Sequence, residues 1–323
     1  MIRRPKARAN RRRLLFVTDL HGSDLTFRKL LKALEVWRPD AVIAGGDVAG
    51  KAMVPVVDLG DKFRLKWMGQ VHEFASRELS TFLEKVGQVG FYWHIAPVEE
   101  IEAMRDDPVR TNRIFEEVIA RRWSAWLERL EDRCRQLRVP AYVMAGNDDP
   151  WSLDAVTLVQ REWVTPADGA VVPVLDHWML VSCGLGNPTP WQCPRDVSES
   201  ELADKLRSIT EGLKDFSNVI ANIHPPPFDS TLDLAPKLDT SVSPPRPVPG
   251  EIAPVGSTAV RDFLADAQPL LSLHGHIHES RAAVRLGRTW AVNPGSEYAE
   301  GVLRAALVTV EPSRVVSHQL VAA

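Results

Sequence analysis

Cysteine is scarce in this chain of 323 residues: Cys134, Cys183 and Cys193 have no CxxC spacing and no even count. That argues against a disulfide framework and points to a reducing, cytoplasmic setting. Long apolar runs are missing too. None approaches the roughly 20 residues that a membrane-spanning helix needs, so no membrane span is expected. Charge of one sign is also lacking, with a formal net charge of −3. Nucleic-acid binders commonly carry a global basic field, and this chain has none. There are no internal repeats. Hydrophobic residues at 45% and charged residues at 25% suit one large α/β domain, or one with a cap.

What the chain has instead is five short apolar runs, LLFVT, AVIA, AYVMA, VIANI and LLSLH, each leading into residues able to bind metal. They lead to Asp19-Leu20-His21, Gly45-Gly46-Asp47, Gly146-Asn147-Asp148-Asp149, His224, and Gly275-His276-Ile277-His278. Short aliphatic and β-branched runs bounded by glycine or proline read as buried strands. In open α/β sheets, ligands collect outside the carboxyl ends of the strands. Residues far apart in sequence are therefore expected to converge at one sheet edge. Asp19 and His21 are two apart, so on an extended segment their side chains point the same way.

The residue types fit one chemistry. Asp47 can present two carboxylate oxygens and so bridge two cations, Asn147 offers an amide oxygen, and His224, His276 and His278 offer imidazole nitrogens. Two cations about 3.5–4 Å apart can clamp a phosphoryl group and activate the attacking water. Mixed histidine and carboxylate ligands suit Mn, Fe or Zn, with Mg less well served. The sequence does not choose among them. Each piece alone has a bland counterpart: a chance DxH pair, a glycine-rich turn, or a loop histidine before Pro225-Pro226-Pro227. Five pieces in order at five strand ends set this chain apart.

The ordered set DxH, GGD, GND, H and GHxH resembles the calcineurin-like metallophosphoesterase superfamily. The resemblance runs from Leu14 to about Val310 and is weakest between Asp47 and Asn147. TDLHGSD, HGHIHES and VNPGSEYAEGVLR are similar to a bacterial and archaeal subgroup of uncharacterised phosphoesterases. The resemblance implies a four-layer αββα sandwich of two mixed sheets with helices outside. It implies two divalent metal ions, the first held by Asp19, His21, Asp47 and His278, the second by Asp47, Asn147, His224 and His276. It also implies hydrolysis of a phosphoester, first a small phosphodiester or nucleotide, by a metal-bridging hydroxide. The alternatives are a nuclease or phosphatase acting on nucleic-acid ends or phosphoproteins, and a non-catalytic interaction module, which the intact ligands disfavour. Many members carry a histidine directly after the Asn. Here that place belongs to Asp148, a carboxylate that nearby positive charge keeps ionised. Asp148 is thus expected to orient water or ligand, or only to shape the turn, and not to protonate a leaving group. His274 is the candidate substitute acid, against the plainer reading of a hydrogen-bonded strand-end histidine.

The rest of the chain frames this core. Arg3, Arg4, Lys6, Arg8, Arg11, Arg12 and Arg13 make residues 1–13 a basic tail, solvated or in weak contact with an anion, ahead of a metallophosphoesterase domain at 14–323. It does not read as a secretory signal, because the short apolar run that follows already leads to Asp19. Val71–Val86 and Arg113–Leu137 show helical spacing, with Ile114, Val118, Trp126 and Leu130 on one face, so about 51–138 reads as an inserted helical cap. Its Phe91-Tyr92-Trp93-His94 cluster is a packing element or a platform for a nucleobase, with His94 structural. Residues 225–256 hold nine prolines and read as a stiff loop walling the pocket, with Asp229 and Ser230 nearest the ligand, or as a surface loop. Trp178–Cys183, Thr289–Val292 and Leu303–Val310 read as further strands and Glu201–Leu213 as a helix.

Overall fold

The computed structural model describes residues 11–323, and two six-stranded mixed sheets form its centre. The first runs β18 (Arg314–Ala322), β17 (Arg304–Glu311), β1 (Arg12–Val17), β2 (Ala41–Gly45), β7 (Ala141–Met144), β8 (Val164–Pro166). The second runs β15 (Ala282–Leu286), β16 (Thr289–Asn293), β14 (Leu271–Leu273), β11 (Val219–Ile223), β10 (Trp178–Cys183), β9 (Val171–Val174). All five apolar runs are strands. β1, β2 and β7 are parallel in one sheet, and β11 and β14 are parallel in the other.

Alternation along β1 shows how the sequence makes layers. Leu14 and Phe16 pack between the sheets with Trp178, Leu180, Ile220 and Leu271. Leu15 and Val17 point the other way, toward helices α1 (Asp24–Trp37) and α4 (Pro108–Leu137). A period of two puts successive side chains on opposite faces, so a strand apolar at every position must be covered on both. Beyond the second sheet, Cys183, Ala221 and Ile223 meet Leu202 and Leu206 of α6 (Glu199–Thr210) and Val260 and Leu264 of α7 (Thr258–Ala267). The order helix, sheet, sheet, helix is the four-layer αββα sandwich. Ser23 caps α1 by accepting from Thr26 N, and Ser198 with Glu201 closes a reciprocal capping box on α6. A short helix, α5 (Leu153–Thr157), lies against α4.

The interval between β2 and β7 contains the expected helical element, as α2 (Ser76–Gln88), α3 (Val98–Asp106) and α4. It also contains a four-stranded sheet in the order β5 (Gln70–Phe74), β4 (Phe63–Trp67), β3 (Met53–Asp58), β6 (Tyr92–Pro97). Val71–Phe74, read as the start of a helix, is strand β5. Met68 and Gly69, with φ of 48° and 81°, close a two-residue hairpin onto β4, the turn that matches strand twist. The aromatic cluster lies at the start of β6 and packs. Tyr92 is buried, its hydroxyl accepts from Gly50 N at 3.1 Å, and the Arg122 guanidinium lies 4.1 Å from its ring centroid. His94 pairs with Glu100 at 2.9 Å. Ile114, Val118, Trp126 and Leu130 are all buried along α4.

The proline-rich stretch is more than a loop: β12 (Leu234–Asp239) and β13 (Arg246–Pro254) pair as an antiparallel ribbon. A two-stranded ribbon leaves each strand an outer edge, where proline's missing N–H breaks no ladder. The buried Asp233 carboxylate closes its base, accepting from Asp229 N, Ser230 N and Gly256 N at 2.9, 3.1 and 3.0 Å. Asp229 and Ser230, expected nearest the ligand, are tied into this closure, and Ser230 Oγ donates to Pro227 O at 2.6 Å. At the N-terminus, Arg3, Arg4, Lys6 and Arg8 lie outside the described residues. Arg12 and Arg13 belong to β1 and not to a tail, and Arg11 pairs with Glu311 at 2.9 Å. Among the described residues no helix is long and apolar enough to cross a membrane.

Candidate metal centre

Every ligand-type residue except His21 and His278 stands one to three positions past the end of its strand. The extended segment expected for Asp19 and His21 is not what forms. Their φ values are 54° and 40°, those of Asp47 and His276 are 49° and 67°, and four such left-handed non-glycine residues in one place mark a strained loop cluster. Backbone pairing holds the strain: Asp19 N donates to Gly46 O and His21 N to Asp47 O, both at 3.0 Å. Two glycines permit the approach. A Cβ on Gly275 would meet Thr18 Oγ1 and Asp19 Oδ2, and one on Gly146 would meet Asp47 Oδ1.

The loops bring the seven residues together. Asp19, His21 and His278 place ligand atoms within 4.8 Å of one another, and so do Asp47, His224 and His276. Asp47 lies between the two groups, its Oδ2 3.6 Å from His21 Nε2 and 3.3 Å from His224 Nε2. Asn147 Oδ1 is 2.9 Å from His276 Nδ1. His21 Nδ1 faces Ala49 O at 3.2 Å and His224 Nδ1 faces Gly45 O at 2.7 Å. A ring nitrogen that donates to a carbonyl leaves Nε2 as the free lone pair, the usual outer support of a metal-binding histidine. His224 Nε2 is fully buried and makes no hydrogen bond. It lies 3.3 Å from Asp47 Oδ2 without a hydrogen bond, which is costly for a buried polar atom, and a cation held by both would satisfy it. The residues present therefore fit a divalent metal.

The electrostatics agree. Burial opposes ionisation of Asp19, yet the His278 hydrogen bond and charge outweigh it and set its pKa at about 2. Asp47 is likewise held well below the usual carboxylate range, with His224 and His21 overcoming burial. Burial lowers His21 to about 3 and His276 to about 4. Burial also works against the His224 cation, but Asp47 and Asp19 overcome it and raise that ring to about 10. Against burial, the hydrogen bond and charge of Asp19 likewise raise His278, so the two ionised carboxylates draw positive charge onto two of the four rings, the place a metal cation would take.

Asp148 stands at the edge of this cluster. Its N–H donates to Asp47 Oδ1 at 3.0 Å, and its Oδ2 is 3.9 Å from His21 Nδ1 and 2.8 Å from Lys51 Nζ. His274 is elsewhere engaged: wholly buried, it contacts Ser272 Oγ at 2.7 Å through Nε2 and Ile223 O at 2.8 Å through Nδ1.

Sequence reasoning missed several supports. Lys51, four residues past Asp47, carried a signal in its spacing alone. Asp149 accepts from Val48 N, Ala49 N and Gly146 N at 3.1, 2.7 and 2.8 Å and so locks two ligand loops together. Asp196 accepts from Asn147 Nδ2 at 2.8 Å, which turns the amide oxygen toward His276. Ser296, in the noticed Asn293-Pro294-Gly295-Ser296 turn, donates to Asp19 O at 2.7 Å, and Asn293 Nδ2 donates to Gly275 O and Ile277 O at 3.2 and 3.0 Å.

No family model matches the chain. Over 125 residues it is 30% identical to an uncharacterized protein of Methanocaldococcus jannaschii, MJ1162, a match that covers 38% of this chain and 50% of that protein. The chain thus matches about half the length of that relative. One solved structure superposes with a TM-score of 0.58 at 15% identity, over 96% of this chain and 99% of the other. The protein TT1561 of Thermus thermophilus does so with a TM-score of 0.51 at 14% identity, over 93% and 99%. At such identities the likeness speaks for architecture alone, and that architecture is the four-layer αββα sandwich that the sequence motifs implied.

Proposed function

We propose that this chain is a metal-dependent phosphoester hydrolase acting on a small phosphodiester or nucleotide. The observation that carries the reading is the buried convergence of carboxylate oxygens and imidazole nitrogens, within which His224 Nε2 makes no hydrogen bond. Asp19, His21, Asp47 and His278 would hold one divalent cation, and Asp47, Asn147, His224 and His276 a second, of the Mn, Fe or Zn kind. Cations bound there supply Lewis acidity, neutralise phosphate charge and make water nucleophilic at neutral pH.

The chain's own residues do the positioning. Asp148 N–H fixes Asp47, and Asp196 fixes the Asn147 amide. Lys51 adds positive charge at the open edge, where the anionic oxygens of an ester arrive. The Asp148 carboxylate, ion-paired with Lys51, orients and does not protonate. Beside it opens a cleft of about 440 Å³. That volume suits a small ester better than a protein surface, which supports this reading over a phosphoprotein phosphatase. A panel of phosphomonoesters, cyclic and linear diesters and nucleotides, assayed with Mn, tests the proposal. Metal-dependent turnover within the diester or nucleotide classes is expected. No turnover of any member by fully metallated protein would refute it.

A further inference from the structure

The cleft beside Asp148 lies between helix α4 and the loop after β7. It is lined by Gly50 and Lys51, by Asn112, Phe115 and Glu116 of α4, and by Trp151 of that loop. Trp151 is 55% exposed yet held in place. Its indole N–H donates to Pro194 O at 3.0 Å, and the buried Arg195 guanidinium lies 4.3 Å from its ring centroid. Arg195 is in turn anchored to Asp149 O at 2.8 Å and Asp154 Oδ1 at 2.6 Å. An exposed indole usually keeps its rotamer freedom. This one is fixed, three residues past Asp148. Across the cleft, Phe115 is half-buried and braced edge-on by Tyr92, with centroids 5.8 Å apart. Asn112 Nδ2 donates to Glu116 Oε1 at 2.7 Å, leaving the amide oxygen and the second carboxylate oxygen as acceptors.

We infer that this cleft binds a nucleobase, so that the substrates are nucleoside phosphoesters whose base lies against Trp151 and faces Phe115. The inference rests on the phosphoester reading and names its substrate class. The lining carries one cation, two aromatic side chains and hydrogen-bond acceptors. Those groups match the phosphate, the planar base and the base N–H of a nucleotide. Preorganised aromatic walls bind a planar group without the entropy of ordering them first. An aliphatic ester would use neither ring face.

Thymidine 5′-p-nitrophenyl phosphate and methyl p-nitrophenyl phosphate share a leaving group and differ only in the retained group. In the metal-loaded protein, kcat/KM is expected to favour the nucleoside ester by about tenfold or more, the weight of one base–aromatic stack. W151A should erase most of that ratio through KM, and W151F should restore it. F115A, on the opposite wall, gives the same test should W151A not fold. A wild-type ratio near one, or a ratio unchanged in W151A, overturns the inference and leaves Trp151 a scaffold residue. Calorimetric titration with thymidine 5′-monophosphate and with ribose 5-phosphate reads the discrimination without turnover. If neither ester is hydrolysed but the nucleotide binds about tenfold more tightly and W151A removes the difference, the cleft assignment stands and the hydrolase reading falls. Equal binding of the two ligands overturns the cleft assignment.

Discussion

The rim of the two-sheet core and the insertion between β2 and β7 meet at one cleft but are built on different terms. At the rim, polar residues are buried in left-handed loops that backbone bonds and buried carboxylates hold in place, as Asp149 does between Val48, Ala49 and Gly146. The insertion puts part of its apolar surface into a separate small core, in which Val54, Val56, Leu65, Leu79, Leu83 and Val86 pack together. Its other elements face the main core, through Tyr92 and Ala96 of β6, Ile101 and Met104 of α3 and the buried face of α4. The division separates chemistry from selection. Damage at the rim should reach the reaction itself, and damage in the insertion should reach what is admitted.

The largest effect should come from Asp47→Ala, which removes the carboxylate between the two groups. Turnover should fall roughly 10³-fold or more, because several kcal/mol of charge stabilisation are at stake, and bound metal should drop in elemental analysis. Turnover near wild type would place the chemistry elsewhere.

Asp148→His comes next. With no acid at that position, rates should fall steeply as leaving-group pKa rises. The imidazole should flatten that slope and speed alkyl esters by about 10²-fold, within the range of positioned proton transfer. A flat slope in the wild type would mean that another residue already protonates the leaving group. His274, with both ring nitrogens engaged in the interior, is not in a position to do so, and Lys51 would be the first residue to examine.

Asp196→Ala frees the Asn147 amide to rotate. Metal affinity, read by competition with a chelator, should weaken by about 10–100-fold, as for other outer supports of metal ligands. Unchanged affinity would remove Asn147 from the ligand set.

Leu65→Ala has the smallest expected reach. It should cost about 2–4 kcal/mol, and hydrogen exchange should show β3 to β6 losing protection while β1, β2 and β7 keep theirs. Equal loss in both regions would merge the two cores into one.

The same contrast explains what the sequence revealed. The rim was legible because each ligand follows an apolar run, so strand and chemistry are written side by side, as in LLFVT before Asp19. The outer supports were not, since Asp149 binds Val48 and Asp196 binds Asn147 across long separations that no local pattern encodes. In the insertion the helical face of α4 was plain from its period. The β4–β5 hairpin was hidden because Gln70–Phe74 runs directly into α2, and only the Met68-Gly69 turn marks the break. The β12–β13 ribbon was masked by prolines, which are depleted in most strands and tolerated at its edges.

The central claim is that the buried cluster at the strand ends is a metal centre that hydrolyses phosphoesters. Its most direct test is turnover of bis(p-nitrophenyl) phosphate by protein stripped with a chelator and then titrated with Mn, with bound metal counted at each step. The account predicts no turnover in the stripped protein and recovery that saturates at two equivalents. Full turnover in the stripped protein, or binding of metal without any turnover, would contradict it.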